Sequence, residues 1–418
     1  MSVRRVAIET LYHGLYDGPH ATPKPSEDGP VFLGIGNITE DGKLDLHDVR
    51  HIAEEDYPSW TKRVTPRPGD IVFTYEATLN RYAIIPEGFR GCLGRRTALI
   101  RPNPDAVNSR FLFFYFFCED WRKTISENIL SGATVDRIPL TRFPTFPVTL
   151  PERAIQDSIA TILSAYDDLI ENNTRRIKIL EELAQMLYRE WFVTFRFPGH
   201  QKVKMVESEL GPIPEGWNVE PLAEVYKTGS GGTPSRKIPS YYGGAIPWVK
   251  TQELQDGFIH NTDEKITEEG LKNSSAKLHP PGAVLMAMYG ATIGKLGMLA
   301  LPATCNQACC ALTPKEPHFG SEYIFLALLN RRTDILALRM GAAQQNISQE
   351  VIKAFPLMRP NTDVMDRFNE TVKPLMALIG LLQAKNSNLR TTRDLLLPKL
   401  ISGEIPVEAA AELVEQTA

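Results

Sequence analysis

From Ile155 onward, apolar residues recur at alternating steps of four and three: Ile155, Ile159, Ile162, Tyr166, Leu169, then polar Asn173, then Ile177, Leu180, Ala184, Leu187 and Trp191. This is a heptad seam on a helix that no proline interrupts. A second run, Val364, Phe368, Leu375, Leu378, Leu382, Leu389 and Leu396, has the same spacing, with Pro374 as its expected kink. At about 1.5 Å per residue, some forty residues make a helix of about 60 Å. Each helix carries one apolar stripe that must be covered. Two such stripes in one chain are most simply buried against each other, as an intramolecular antiparallel coiled coil. Its expected seam is Ile159, Ile162, Leu169, Ile177, Leu180 and Leu187 on one helix and Phe368, Leu375, Leu378, Leu382, Leu389 and Leu396 on the other. Asn173 and Lys385 fall near that seam, where a polar side chain fixes register at a cost in stability; a solvent-facing rim position is the other reading of both.

The remaining pattern is mixed. GDIVFTYEAT and GAVLMAMYGAT read as short apolar strands entered through Pro/Gly turns, whereas FLFFYFFCEDW and YIFLALLN read as buried helices. Comparing the chain with itself shows that the plan is used twice. At a shift of 209 residues, SGATVDRIPLTRFPTFPVTLP lies without a gap on MGAAQQNISQEVIKAFPLMRP, and the register persists into the helices: Asp157 meets Asp366, Leu169 meets Leu378, Leu180 meets Leu389 and Leu187 meets Leu396. Upstream the shift drifts, with Thr22-Pro23 resembling Thr233-Pro234, Gly69 to Val72 resembling Gly282 to Leu285, and Pro102 resembling Pro314. The expected organisation is an α/β (α+β) globular part over residues 1–150, a helical spacer over 151–211, a second globular part over 212–360, and a second helical spacer with the tail over 361–418.

Composition narrows the class. No apolar run approaches the roughly 18 residues that cross a bilayer, and the N-terminus lacks the apolar stretch of a secretory signal, so a cytoplasmic location without membrane contact is expected. Five cysteines without CxxC spacing read as reduced core thiols. A net charge of -4 is unusual for a protein that grips DNA alone, since phosphate neutralisation drives non-specific affinity. Between Tyr57 and Pro104, however, eight basic residues face three acidic ones.

Candidate chemistry is sparse. Gly290 to Lys295 is one residue too short between its glycines for a phosphate loop, and Leu296 stands where Ser or Thr would hold Mg²⁺. Gly34-Ile35-Gly36 lacks the third glycine of a dinucleotide fingerprint, and the eight histidines show no metal-ligand spacing, so neither cofactor nor metal is expected. What recurs is a set of polar loops. In the second copy they carry Thr233, Ser235, Arg236, Lys237, Lys250, Tyr289, Thr292, Lys295, Asn306, Gln307, Gln344, Gln345 and Asn346. In the first they carry Thr22, Lys24, Arg63, Arg67, Tyr75, Thr78, Asn80, Arg81, Arg95 and Arg96. Arg and Lys pair with guanine, and Asn and Gln with adenine, through two hydrogen bonds each, so these loops suit base reading. A solvated loop is the plainer reading of any one residue; recurrence in both copies favours the other.

IPEGW at Ile213 to Trp217, GAVLMAMYGATIGKLG, CNQACCAL, the helix AIQDSIATILSAYDDLIENNTRRIKILEEL and the closing LLLPKLISGEI together make the chain similar, over nearly its whole length, to the specificity subunits of type I restriction-modification systems. The resemblance implies a non-catalytic subunit with two target-recognition domains, each reading one half of a bipartite double-stranded DNA sequence, joined by two helices acting as a spacer of fixed length. It also implies partners: methyltransferase subunits docked on the helices and recognition domains, and a restriction subunit. The first copy departs from the pattern, with Tyr75 to Thr78 where the second has Tyr289 to Thr292, and Gly94-Arg95 where the second has Asn306-Gln307. Two rival readings stay open on the residues alone: a non-catalytic coiled-coil scaffold that binds proteins rather than DNA, and an enzyme with an unrecognised site.

Overall fold

A computed structural model describes residues 3–131, 135–339 and 346–411. It is a mixed structure of helices and mainly antiparallel sheets, and its internal packing divides the chain into two units: Met1–Ile170 with Asn388–Ala418, and Glu171–Ser387.

In the first unit a four-stranded antiparallel sheet runs in the order Tyr12–Asp17, Thr97–Pro102, Ile71–Thr74, Tyr82–Ile84. The strand expected within GDIVFTYEAT is wholly buried, as the central position requires. A smaller sheet joins Arg50–His51, Ser26–Leu33 and Gly91–Leu93, the last two parallel. FLFFYFFCEDW forms two helices, Ser109–Tyr115 and Glu119–Asn128, whose aromatic side chains fill the core. There the indole of Trp121 donates to the Tyr82 hydroxyl at 2.8 Å, so the two large polar-tipped rings satisfy each other.

The second unit repeats this connectivity. Its five-stranded sheet runs Tyr226–Ser230, Cys309–Pro314, Val284–Ala287, Leu296–Leu299, Gly257–Ile259, and its smaller sheet joins Lys265–Ile266, Tyr242–Val249 and Thr304–Cys305, again with one parallel pair. YIFLALLN lies in the buried helix Ser321–Asn330.

Both long helices form: Arg153–Phe192, 40 residues, and Thr362–Ser402, 41 residues. The second is helical through Pro374 and Pro398. Within the first unit, Ile159, Leu163, Tyr166 and Ile170 share a core with Leu389, Leu396, Leu397 and Leu400. Within the second, Ala184, Tyr188 and Trp191 share a core with Phe368, Val372, Met376 and Ile379, and the two segments run antiparallel, since Asn173 meets Asn386 while Trp191 meets Phe368. Of the expected seam, Ile159, Ile162, Phe368, Leu382, Leu389 and Leu396 are buried. Leu169, Ile177, Leu180, Leu187, Leu375 and Leu378 are half-buried. The fully buried line passes through Leu163, Ile170 and Tyr188, each one residue beyond the expected Ile162, Leu169 and Leu187. Heptad spacing on a helix of 3.6 residues per turn drifts in this way.

The buried polar pair is Asn173 with Asn386, not Lys385: the Asn173 amide donates to the Asn386 carbonyl at 3.0 Å, and Asn386 donates to Thr174 at 3.2 Å. Lys385, one position away, is half-buried. The recurrence of Asp157 at Asp366 also has a structural reason. Asp157 accepts from Asn108, which caps the helix at Ser109, at 2.7 Å, and Asp366 meets His318, just before the helix at Ser321, at 2.6 Å. Each carboxylate ties the start of a long helix to its globular part.

Replacing Asn173 with alanine removes a hydrogen bond from a buried polar pair and is expected to lower stability by about 1–3 kcal/mol, whereas replacing both Asn173 and Asn386 with leucine is expected to be less costly than that single change. Urea unfolding of the three proteins measures this difference.

Candidate nucleic-acid interface

Backbone hydrogen bonds fix which residues of the two units occupy equivalent places. Tyr12 pairs with Pro102 as Tyr226 pairs with Pro314, and Ile71 pairs with Ile100 as Val284 pairs with Leu312. The Gly94 N–H donates to Leu33 and the Asn306 N–H to Val249, both at 2.9 Å, so the Gly94-Arg95 and Asn306-Gln307 turns are equivalent, as the sequence indicates.

Two other alignments need correcting. Ile138 donates to the carbonyl of Tyr75 and Ile347 to that of Met288, both at 2.7 Å, so Tyr75 stands where Met288 does, and Glu76 where Tyr289 does. A one-residue slip exchanges the faces of a strand. Tyr75 is accordingly a core residue, 5% exposed, and not a loop residue turned outward. Likewise Gly18 donates to Thr97 as Gly231 donates to Cys309, which makes His20 the counterpart of Thr233 and leaves Thr22 two positions beyond. One cause of the drift is a bulge between Tyr12 and Gly14, which inserts a residue in the first unit alone.

In the second unit the turn from Cys305 to Cys309 is held from behind. A Cβ on Gly231 would lie 2.0 Å from the Cys305 carbonyl oxygen, so only glycine lets the Thr233 loop pass this close. The Asn306 side-chain oxygen accepts from the Ala308 N–H at 3.1 Å, which spends part of Asn306 on holding the turn. Gln307 is exposed and is bonded by the Thr233 hydroxyl. Beneath the turn, Cys305, Cys309 and Cys310 are buried free thiols. The hydrogen bond from Cys309 holds the Cys305 thiol below its ordinary value against the effect of burial, with His279 adding to it.

Three residues after Thr233, Arg236 lies over the rings of Tyr242 and Trp248 with its guanidinium carbon 4.3 and 5.1 Å from their centroids, and it meets Glu264 at 2.5 Å. Lys250 meets the same carboxylate at 3.1 Å. The hydrogen bond from Arg236, helped by the one from Lys250, holds the Glu264 carboxyl below its ordinary range. Ser235 and Lys237 are exposed on the same loop. Tyr289 bridges to Asn346, and Thr292 is half-buried nearby in sequence. Lys295 is drawn away from this group: it meets Asp256 at 2.7 Å, and Arg332 binds the same carboxylate. Gln344 and Gln345 lie outside the described residues.

In the first unit Arg95 is exposed, Arg96 meets Glu76 at 3.4 Å, Arg81 meets Glu40 at 2.9 Å, and Arg63 meets Asp17 at 2.5 Å. Thr22, Lys24 and Arg67 are exposed, while Thr78 and Asn80 are half-buried, Asn80 in the left-handed region with φ 59°. Arg81 and Lys295 occupy equivalent places, each accepting at its backbone carbonyl from an N–H of the strand before it, that of Thr74 or of Ala287, and each side chain is taken up by a carboxylate of its own unit. Asp17, His20, Tyr242 and Glu264 are not singled out by the sequence pattern. The available signal was the glycine shared at Gly18 and Gly231, which fixes the register of the loop that follows.

The family of type I restriction modification DNA specificity domains matches residues 31–182 and 214–390, once for each copy of the repeat. The chain belongs to that family. It is 26% identical over 365 residues to the type I restriction enzyme MjaIX specificity subunit of Methanocaldococcus jannaschii, covering 86% of this chain and 82% of that one. It is 22% identical over 440 residues to the HindI specificity subunit of Haemophilus influenzae, covering 90% and 94%. The crystal structure of a type I restriction-modification S subunit from M. genitalium shares the fold, with a TM-score of 0.58 at 14% identity and 96% of both chains covered. Among the described residues no helix is long and apolar enough to cross a membrane.

Asp256 supplies a pH-dependent test of the second unit. Burial pushes its carboxyl up, but hydrogen bonds from Arg332, Lys295 and the Leu296 N–H outweigh burial and hold it below the usual 3.8. Its contribution to stability is therefore present above about pH 4 and is lost as pH falls through the lowered value. Asp256→Asn is expected to cost about 1–3 kcal/mol at neutral pH, a gap that narrows as pH falls below the usual 3.8; urea unfolding at neutral pH and in that acid range measures it.

Proposed function

We propose that this chain is the DNA-reading, non-catalytic subunit of a type I restriction-modification complex. The observation that carries the reading is the double family match, one over each copy of a globular part followed by a long helix. Residues 1–150 and 212–360 are the two readers, each taking one half of a bipartite double-stranded target, and residues 151–211 and 361–418 are the helical spacers. In the second reader Thr233, Arg236, Lys250, Tyr289, Gln307 and Asn346 face the bases or the backbone beside them. The Arg236 arrangement favours this: a guanidinium stacked on two rings and fixed by a carboxylate has little freedom left to lose on binding, which lowers the cost of contact with a base.

The helices form an antiparallel coiled coil that sets the distance between the half-sites and docks methyltransferase subunits, with a restriction subunit completing the complex. The antiparallel pairing of Asn173 with Asn386 and of Trp191 with Phe368 supports this part. A polar pair inside an apolar seam disfavours sliding, because any other register buries an amide without a partner. The net charge of -4 also agrees, since partner subunits then supply much of the phosphate grip.

Selection from a randomised duplex pool, by the chain combined with its methyltransferase subunits, is expected to enrich a bipartite motif. A pool with no sequence-dependent enrichment would count against DNA reading and for a protein-binding scaffold. Gln307→Ala is expected to relax one half of the motif by about 5- to 100-fold in discrimination and to spare the other. Inserting seven residues at matched points of both helices lengthens each by about 10 Å and is expected to lengthen the preferred spacer by about three base pairs. An unchanged spacer in the same selection would refute the ruler.

A further inference from the structure

We infer that in the first reader Arg63 recognises a guanine, with Asp17 as the residue that positions it. The inference rests on the DNA-reading function proposed above.

Asp17 ends the strand that begins at Tyr12, and its place in the sheet is that of Ser230: Asp17 pairs with Ala98 as Ser230 pairs with Cys310. The next residue is glycine in both units, for the same reason. A Cβ on Gly18 would lie 2.1 Å from the Gly94 carbonyl oxygen, as one on Gly231 would lie 2.0 Å from that of Cys305. In both, therefore, the chain passes in contact with the turn that carries Arg95 or Gln307. Two residues later the units diverge. Thr233 reaches across to Gln307, whereas His20 turns back and meets one oxygen of Asp17 at 3.1 Å. Arg63 takes the other oxygen at 2.5 Å.

With both carboxylate oxygens engaged, Asp17 has little rotational freedom, and it holds a guanidinium whose side chain is 51% exposed against its own 28%. Arg63 spends one of its five N–H donors on Asp17 and keeps the rest of the fork for a ligand. Asp17, Arg63, Arg95 and Glu76 all act electrostatically on the buried Tyr75 hydroxyl, which has no hydrogen-bond partner among the described residues, so the four charges share one neighbourhood. Charge separates base reading from phosphate binding here. An arginine serving a phosphate needs its positive charge, which the Asp17 carboxylate largely cancels. What the pair retains is direction, and a directed fork meets the O6 and N7 acceptors of guanine. In the second unit the loop after Gly231 carries an arginine-carboxylate pair at a different place, Arg236 with Glu264, as two readers of different base orders require.

The test uses the full chain with its methyltransferase subunits and the randomised duplex pool, comparing wild type, Arg63→Lys and Asp17→Asn. The wild type is expected to select a G·C pair within the half-site that Gln307→Ala leaves intact. Each variant is expected to lose discrimination at that same pair by about 5- to 100-fold and to keep the other half-site. Lysine keeps the charge and reach of Arg63 but not its fork, so Arg63→Lys decides the question alone where Asp17→Asn fails to fold. Discrimination retained at every position of that half-site, or affinity lowered evenly with the motif unchanged, overturns the inference and makes Arg63 a backbone contact. A wild type that selects no motif overturns the DNA-reading function itself.

Discussion

A helix of forty residues with one apolar face is stable in water only where something covers that face, and each unit meets this demand along its own length of both long helices. In the first unit Ile159, Leu163, Tyr166 and Ile170 are covered by Leu389, Leu396, Leu397 and Leu400 together with the aromatic core under the sheet. In the second, Trp191 and Phe192 meet Phe368, while the Phe258 N–H donates to Gln383 and its ring packs on the helix surface at Gly380. The long helices and the globular cores are thus one packing problem in each unit. Asn108 and Asp157 in one, and His318 and Asp366 in the other, lock the helix starts by polar contacts at equivalent places.

Charge is handled locally. The basic residues that crowd the stretch from Tyr57 to Pro104 suggest a strong positive field, yet Arg63, Arg81, Arg90, Arg96 and Arg101 each meet a carboxylate of their own unit. In the second unit Arg236, Lys250, Lys295 and Arg332 do the same, Arg236 and Lys250 at Glu264 and Lys295 and Arg332 at Asp256. A count of cations along the chain therefore overstates the field at the surface. The pairs trade attraction at long range for fixed direction at short range, which suits discrimination between bases better than capture of phosphate.

What the sequence made legible was whatever has a period. The heptads located both long helices, alternating and continuous apolar runs located the central strands, and the gap-free shift of 209 residues identified the second copy. The drift of the seam to Leu163, Ile170 and Tyr188, and the choice of Asn386 over Lys385, were beyond a period of 3.5 applied to a helix of 3.6. The loops were legible only as regions. Matching Tyr75 to Tyr289 followed residue identity, whereas the backbone matches Tyr75 to Met288, and side-chain identity carries no information about a bulge at Gly14. Glu264 was invisible for a different reason: it lies far along the chain from Arg236, and pairing of that kind is a property of the folded sheet.

The two readers consequently share a backbone frame and differ in what stands on it. Gly18 and Gly231 cannot change, because each backs onto a carbonyl oxygen at a distance no Cβ allows. The parallel pairs Leu33 with Leu93 and Val249 with Cys305 cannot slip without turning buried side chains to the opposite face of the sheet. Between these fixed points the side chains that face outward, Asp17 or Ser230, His20 or Thr233, Arg95 or Gln307, carry none of the core's packing. They are free to differ while the fold stays the same. A frame pinned by glycine and strand register, with variable residues at defined offsets from the pins, lets one fold present a different set of donors and acceptors in each of its copies.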